Sequence, residues 1–264
     1  MSTIKANGIE IHYEQHGNGP DLVMIMGLGA HSGAWALNVP QLAERYRVTV
    51  FDNRGCGRTS APDEPYSMGA MADDTAALMG AIGIDRAHIV GASMGGMIAQ
   101  EFAINHPGRV NRLVIACSRM IASELRRKVS MAQRALWASD LPRDVVSAIQ
   151  MPWSSTPGIL QDESLPLAAL ALQAKDPYPI AKHAYLRQLD ATLAHDTVAR
   201  LGRITAPTLV LVGAEDILTP PHESVALAAR IPGSELRILP RGGHGFTGEY
   251  APQFNRAVVE FLGR

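Results

Sequence analysis

The sequence predicts an α/β protein in which a mostly parallel sheet carries helices on both faces and a helical cap is inserted into the chain. Short, continuous apolar runs alternate with stretches of helical periodicity up to residue 116, and the alternation returns after residue 205. Such runs are typical of strands covered on both faces, as in a parallel sheet. Residues 120–205, in between, show helical periodicity and frequent prolines but no buried strand run. Alternating strands and helices favour right-handed crossovers within one parallel sheet.

The first predicted element is a β-hairpin, because Asn7-Gly8 supplies a turn with positive φ before the alternating residues Ile9 and Ile11. Strands and helices then alternate until Pro107-Gly108 ends a helix. The predicted strands of this stretch cover 22–26, 48–51, 88–90 and 112–116, and the predicted helices cover 35–45, 68–82 and 94–105.

The rest of the chain is predicted to contain the cap and the end of the sheet. After the cap we expect strands at 208–212 and 236–239, a helix at 221–230 and a last helix reaching 262. No flexible linker flanks residues 120–205, so we interpret them as an insertion into one core. The predicted core domain comprises 1–119 and 206–264, and the predicted cap comprises 120–205.

The composition argues against several classes of partner. The formal net charge is −1 and no Lys/Arg block occurs, which argues against nucleic acid and anionic membranes. The N-terminus lacks a signal-peptide pattern, and no apolar run is long enough for a membrane helix. Cys56 and Cys117 are far apart in sequence, so we expect free thiols in a reducing compartment rather than a disulfide. Neither cysteine has a partner at metal-ligand spacing. We therefore expect a cytoplasmic protein that acts on a small molecule.

No cofactor signature is found either. Gly27-Leu28-Gly29 is too short for a dinucleotide-binding fingerprint, because Ser32 stands where the third glycine belongs. We expect no metal, no cofactor, and no nucleic-acid or membrane partner, and the sequence leaves the oligomeric state open.

The segment Gly91-Ala92-Ser93-Met94-Gly95 matches the pattern G-x-S-x-G directly between a predicted strand and a predicted helix. This is the setting of a nucleophile elbow, in which small residues permit a sharp, strained turn. The helix N-terminus favours developing negative charge at Ser93. The alternative interpretation is that Ser93 only caps the helix.

A serine hydroxyl needs a base, and His244 is the best candidate among the histidines. It lies in a Gly-rich loop just after the last predicted strand. The order Ser, Asp, His along the chain is the one expected for a triad whose serine lies in a nucleophile elbow. Asp216 follows the strand at 208–212 and is the predicted orienting acid, with the adjacent Glu215 as the alternative. The acid could also follow the predicted strand at 112–116, but residues 117–120 there read Cys-Ser-Arg-Met and contain no carboxylate. An oxyanion hole needs two converging backbone N–H groups, for which Leu28 and Met94 are suitably placed.

These residues resemble the α/β-hydrolase superfamily over essentially the whole chain. Beyond the serine motif, the loops at 52–60, 213–221 and 242–246 are similar to family loops. The pattern looks most like lid-bearing serine hydrolases: 3-oxoadipate enol-lactonase-like hydrolases, small-molecule carboxylesterases and methyl esterases. Many members carry His-Gly where this chain has Met26-Gly27, a difference that leaves the backbone role intact. In the loop 52–60 we expect Asp52 and Arg54 to hold the loop together rather than to contact substrate.

The leading interpretation is hydrolysis of a small, apolar carboxylic ester or lactone through an acyl-enzyme. The alternatives are a carbon–carbon bond hydrolase of ring-cleavage diketones and a ligand-sensing receptor of this fold with slow turnover. A perhydrolase and a hydroxynitrile lyase rank lower, because Leu28 is not aromatic and no lysine lies near His244. An apolar substrate pocket is predicted from six residues, Trp35, Trp137, Met151, Trp153, Tyr178 and Phe246.

Overall fold

One eight-stranded sheet forms the centre of the molecule. The computed structural model describes residues 2–162, 164, 170–171 and 174–264. The strands are β1 Ser2–Ala6, β2 Ile9–His16, β3 Asp21–Ile25, β4 Arg47–Phe51, β5 Ala87–Ala92, β6 Val110–Ala116, β7 Thr208–Gly213 and β8 Glu235–Leu239. Their spatial order is β1-β2-β4-β3-β5-β6-β7-β8. All neighbouring pairs from β4 to β8 in this order are parallel, and β2 pairs antiparallel with both β1 and β4. The predicted mostly parallel α/β fold is confirmed.

Helices cover both faces of the sheet, as predicted. The α-helices of the described residues are α1 Val39–Leu42, α2 Met68–Ala81, α3 Met94–Asn105, α4 Glu124–Ala138, α5 Arg143–Ser154, α6 Pro157–Gln161, α7 Lys182–Ala194, α8 Pro221–Ala228, α9 Phe246–Glu249 and α10 Ala251–Leu262. Successive residues of a strand point to opposite faces. Val23 and Ile25 of β3 therefore enter one apolar cluster with α2, α3 and α8, whereas Leu22 and Met24 enter a second cluster with α1 and α10.

The predicted hairpin is confirmed, whereas the predicted helix at 35–45 is wrong. The hairpin turn has φ of 47° at Asn7 and 79° at Gly8. In place of the helix, the chain forms a short 3₁₀ turn, Ser32–Trp35, and then only the four residues of α1. Pro40 lacks the N–H that a helix running through it would need, so a helix can begin there but not pass. The buried Asn38 before it bonds to Thr247 O and Asn255 Oδ1 instead, both at 2.9 Å.

Helices α4 to α7 follow one another between β6 and β7, inside the predicted cap. The two ends of this insertion meet, because Ile121 bridges Asp196 and Thr197 N donates to Met120 O at 3.0 Å. The rings of Trp137 in α4 and Tyr185 in α7 stack with their centres 3.7 Å apart. No helix among the described residues combines the length and the apolarity needed to cross a membrane.

The loop at 52–60 is held by buried ion pairs. Arg54 is 7% exposed, and its Nε and Nη2 donate to the two carboxylate oxygens of Asp74 at 2.8 and 2.9 Å. Asp52 accepts hydrogen bonds from the backbone N–H groups of Ser32 and Arg58 at 2.8 and 2.9 Å. These contacts connect the loop to the 3₁₀ turn Ser32–Trp35 and to α2, in agreement with the structural role expected for both residues.

We predict that Arg54→Met lowers the free energy of unfolding by about 3–5 kcal/mol, because it leaves the buried Asp74 carboxylate without its ionic partner. Urea denaturation at neutral pH measures this. The matched control is Arg187→Met, which breaks an exposed ion pair with Asp63 and should cost at most about 1 kcal/mol. Equal losses in the two variants would contradict the structural role of Arg54.

Candidate active site

Ser93 occupies a strained turn between β5 and α3. Its φ is 56°, a region that residues with a side chain rarely adopt. The turn requires glycine on both sides: a Cβ at Gly91 would lie 2.2 Å from Gly95 O, and a Cβ at Gly95 would lie 2.0 Å from Ile25 O. The Ser93 side chain makes no capping bond to α3, so the alternative interpretation of Ser93 as a cap is wrong. Its hydroxyl instead faces His244.

A continuous line of hydrogen bonds joins the three residues predicted as a triad. Ser93 Oγ lies 2.8 Å from His244 Nε2, and His244 Nδ1 lies 2.9 Å from Asp216 Oδ2. The side chain of Asp216 is fully buried and that of His244 is 12% exposed. The residues reach one another because Asp216 follows β7 and His244 follows β8, and the carboxyl ends of parallel strands meet at one edge of the sheet.

The carboxylate of Asp216 is fully engaged. Oδ1 accepts hydrogen bonds from Leu218 N and Thr219 N, each at 2.8 Å, and Oδ2 accepts one from the Thr219 hydroxyl at 2.8 Å. Burial raises the pKa of Asp216, but attraction to His244 and the bonds from His244 and Thr219 outweigh burial and lower that pKa below its usual value. Glu215 instead accepts from Gly242 N at 2.9 Å and Arg241 Nε at 3.1 Å. Asp216, rather than Glu215, therefore contacts the imidazole.

The backbone turn at 27–29 packs directly against Ser93. A Cβ at Gly27 would lie 3.1 Å from the Ser93 Cβ. Leu28 lies in this turn and Met94 is the first residue of α3, where N–H groups have no partner within the helix. Gln188 of α7, fully buried, holds the turn: its Oε1 accepts from Gly29 N at 2.9 Å, while its Nε2 donates to Arg54 O at 2.8 Å. Nothing in the sequence indicated Gln188, because the contact joins residues far apart in the chain.

A cavity of about 350 Å³ opens over Ser93 between the sheet edge and the insertion helices. Trp137 and Trp153 line it together with Leu28, Met94 and His244. The cavity thus brings together Ser93, His244, both predicted oxyanion-hole residues and two of the predicted aromatic residues.

The other residues predicted for the pocket lie elsewhere, which corrects those predictions. Trp35 and Phe246 are fully buried in the apolar cluster on the α10 face of the sheet, with ring centres 6.1 and 5.7 Å from that of Phe254. Tyr178 is 41% exposed, and its ring stands 4.8 Å from the Arg58 guanidinium. Met151 is also outside the cavity lining. Apolar residues near an active site serve the core as readily as the pocket, and their sequence pattern is the same.

The cavity lining combines apolar side chains with charged and polar ones, so the pocket is less uniformly apolar than the sequence predicts. Arg119 lies three residues beyond the end of β6, and Arg126 lies in the first turn of α4. Both line the cavity while almost entirely buried. Gln133 and Gln150 line it as well. The position of Arg119 just after a predicted strand was the one sequence feature that could have indicated its place in the cavity. No such feature indicated Arg126, because the sequence pattern of a buried arginine in an amphipathic helix is the same as that of an exposed one.

The chain is similar to known hydrolases over nearly its whole length. Residues 20–247 match the family model described as the alpha/beta hydrolase fold. The chain belongs to the α/β-hydrolase family. A relative from Caulobacter vibrioides named "Putative carbamate hydrolase RutD" is 31% identical over 261 residues, covering 96% of this chain and 95% of the relative. The chain is accordingly a hydrolase.

Solved structures of this family are also similar to the chain. The enol-lactonase from Burkholderia xenovorans LB400 is 27% identical, with a TM-score of 0.90 and complete coverage of both chains. A meta-cleavage product hydrolase from Pseudomonas fluorescens IP01 is 26% identical, with a TM-score of 0.85 over 100% of this chain and 97% of that one. Family members of this architecture thus include a lactonase and a meta-cleavage product hydrolase.

One group of side chains near the triad has donor atoms close enough together for a metal ion. Cys117 Sγ, one carboxylate oxygen of Asp216 and one ring nitrogen of His244 lie within 4.8 Å of one another. A metal would need the Cys117 thiolate, whereas burial raises the pKa of that thiol well above its usual value. Both Asp216 oxygens already accept hydrogen bonds. The donor set therefore suits a hydrogen-bonded triad better than a metal site.

We predict that Thr219→Val lowers the free energy of unfolding by about 1.5–3 kcal/mol near neutral pH, the usual contribution of a hydrogen bond to a charged group. The cost should shrink as the pH falls through the folded-state pKa of Asp216. A carboxyl whose pKa is lowered by folding stabilises the protein above its unfolded pKa and loses that contribution in acid.

Urea denaturation across this pH range measures the effect. The matched control is Thr75→Val, because the buried Thr75 hydroxyl donates to the uncharged Met71 O at 2.9 Å. Its cost should not depend on pH. A pH-independent cost in Thr219→Val would contradict the carboxylate role of this hydrogen bond.

Proposed function

We propose that the chain hydrolyses a small carboxylic ester or lactone through an acyl-enzyme formed on Ser93. The observation that carries the proposal is the hydrogen-bonded line from Ser93 Oγ through His244 to Asp216, with distances of 2.8 and 2.9 Å. A serine hydroxyl becomes a nucleophile when a base removes its proton as it attacks. His244 Nε2 is within reach of that proton, and the Ser93 hydroxyl opens onto the cavity.

The reaction consists of two transfers of the acyl group, first to Ser93 and then to water. In the first, Ser93 Oγ attacks the carbonyl carbon, His244 takes the serine proton and then gives it to the leaving oxygen. In the second, a water loses a proton to His244 and attacks the carbonyl carbon of the acyl-enzyme. The bond from that carbon to Ser93 Oγ then breaks, His244 gives its proton to Oγ, and the acid is released. A lactone differs only in that the leaving oxygen stays attached to the acyl chain.

The negative charge on the carbonyl oxygen requires donors already in place. We infer that the N–H groups of Leu28, in the turn packed against Ser93, and of Met94, at the start of α3, donate to this oxygen, and that the N-terminus of α3 adds its dipole. Gln188 fixes the turn that carries Leu28 through its bond to Gly29 N. Asp216 holds Nδ1 of His244 protonated, so that Nε2 is free to accept, and it stabilises the imidazolium that forms.

Carbamate hydrolysis is a second candidate. It is favoured by the relatives at 31–33% identity that carry carbamate hydrolase in their names. The chemistry uses the same groups, since attack on a carbamate carbonyl gives a carbamoyl-enzyme in place of an acyl-enzyme. Carbamates therefore belong in the same substrate panel as esters, lactones and ring-cleavage diketones.

The role of Ser93 as the nucleophile is tested by substitution and by labelling. The purified protein should turn over p-nitrophenyl esters or simple lactones continuously, and Ser93→Ala should lose at least about 10⁴-fold in kcat because the covalent step is removed. Mass spectrometry after a fluorophosphonate probe should place the label on Ser93. The exposed Ser67→Ala variant is the control and should retain activity.

Activity that survives Ser93→Ala would overturn the triad assignment. Labelling of Ser93 without turnover of any ester, lactone or carbamate would overturn the substrate class and favour a diketone substrate. A few turnovers per molecule followed by arrest would favour the ligand-sensing alternative.

Substitutions of Asp216 and of Glu215 separate the roles of the two adjacent carboxylates. Asp216→Asn should lower kcat by about 10⁴-fold, because an amide no longer enforces the His244 tautomer that accepts the serine proton. Glu215→Gln should change kcat by less than about tenfold, since Glu215 contacts Gly242 and Arg241 instead. Steady-state kinetics on the best ester measures both, and the opposite ranking would reassign the acid.

A further inference from the structure

Among the described residues, two arginines in the cavity wall lack the partners that buried charges normally have. Arg119 is 3% exposed and Arg126 is 6% exposed, and both line the cavity that Ser93 lines. Arg119 Nη2 donates to Thr192 O at 3.1 Å, and Arg126 Nη2 donates to Gln133 Oε1 at 3.0 Å. Arg119 Nε and both Arg126 Nε and Nη1 have no hydrogen-bond partner among the described residues. Neither guanidinium forms an ion pair within that part of the chain.

Arg54 shows how this protein treats a buried arginine with a structural role. At 7% exposure it pairs with both oxygens of Asp74 and also with Glu64. A buried charge without such partners costs several kcal/mol unless something else satisfies it. The arrangement of Arg119 and Arg126 is therefore costly for folding alone.

Both arginines are placed near the reacting serine. Arg119 lies two residues beyond Cys117, and between them the Ser118 hydroxyl donates to Ser93 O at 2.8 Å. Burial lowers the pKa of Arg126, but attraction to Tyr185, Glu223 and Asp216 opposes this effect, so its guanidinium is within electrostatic reach of the triad. Burial and the neighbouring Arg126 lower the pKa of Arg119 to about 9, at which it still carries its charge at neutral pH.

The acidic groups nearby offset this positive charge only in part. Glu223 faces the pair from α8; burial raises its pKa, attraction to Arg119 opposes that effect, and its Oε2 has no partner among the described residues. Asp176 lines the cavity and stands 3.3 Å from His31, while Asp144 lines it beside Arg143. His195, buried next to Arg119, has its pKa lowered to about 3 by burial and by the two arginines Arg119 and Arg200, so it is uncharged.

We propose that Arg119 and Arg126 bind a free carboxylate of the substrate, so that the ester or lactone cleaved at Ser93 carries a second, ionised carboxyl group. This inference rests on the proposed function and narrows it. Guanidinium groups donate in a planar fork that matches a carboxylate, and charge-assisted bonds of this kind are the strong ones. A neutral substrate of the same shape would leave the buried donors unpaired and bind less well.

The first test compares two substrates of nearly equal size with the unmodified protein. Mono-p-nitrophenyl glutarate carries a free carboxylate, and p-nitrophenyl methyl glutarate carries a methyl ester in its place. We expect kcat/KM to be about 10- to 100-fold higher for the acid, mainly through KM. A neutral ester that is cleaved as well as the acid, or better, overturns the proposal.

Variants then assign the preference to these residues. Arg119→Met and Arg126→Met keep most of the side-chain volume without the charge, and each should reduce the acid-to-neutral ratio by at least about tenfold. Arg126→Lys should recover part of the ratio because it keeps the charge. Arg187→Met, which changes an exposed arginine, is the matched control and should leave the ratio unchanged. Ratios unaffected in both Met variants overturn the proposal.

Binding and stability give readouts that do not need turnover. Glutarate should bind the unmodified protein in calorimetry, and binding should be lost in Arg119→Met and Arg126→Met. Arg126→Met should melt no lower than the unmodified protein, because it removes an unpaired buried charge. Melting far below it, as expected of Arg54→Met, overturns the proposal because it would mean that Arg126 has a structural partner.

These outcomes separate the two proposals. If neither ester is cleaved but glutarate binds and the variants abolish binding, the carboxylate site stands and the ester or lactone chemistry is wrong. If both esters are cleaved equally and glutarate does not bind, the chemistry stands and the carboxylate site is wrong.

Discussion

The close approach of β3, β5 and α3 around Ser93 is the constraint on which the site depends. A Cβ at Gly91 or Gly95 would lie 2.2 or 2.0 Å from a backbone oxygen, so the strand and the helix meet at a distance that only glycine permits. This contact fixes the serine backbone at a φ of 56° and points its hydroxyl out of the sheet edge. The same contact begins α3 beneath the hydroxyl. The parallel sheet positions the other two residues, because Asp216 and His244 follow the carboxyl ends of β7 and β8 at that same edge.

This dependence explains which parts of the molecule could be predicted from the sequence. The serine turn, the acid loop and the histidine loop each combine a strand end with small residues, and these local patterns encode backbone geometry directly. Buried parallel strands also leave a local mark, the continuous apolar run. The helix expected at 35–45 failed because tertiary hydrogen bonds of Asn38, together with Pro40, overrode a local periodicity.

The cavity wall could not be predicted for a different physical reason. Helical periodicity shows that a helix has an apolar face, but it does not show what that face meets. Trp35 and Phe246 were therefore predicted to line the pocket, whereas the structure shows both in the apolar core. Arg126 presents the reverse case, because a charged residue in a helix is usually exposed, whereas the packing of α4 over the sheet edge buries it. Gln188 depends in the same way on where α7 meets the loop at 52–60.

Two kinds of buried arginine in one chain show how stability and recognition are divided. Arg54 has its countercharge in the folded chain, so its charge stabilises a loop that supports the turn at 27–29 through Gln188. Arg119 and Arg126 lack such a countercharge among the described residues, so the free energy that a partner would release is not used in folding. This free energy remains available for binding a ligand. Because burial already fixes the two guanidinium groups, little side-chain entropy is lost when a ligand binds to them. A site held slightly unstable by unpaired charge is then selective, since a ligand without the matching charge cannot relieve the cost.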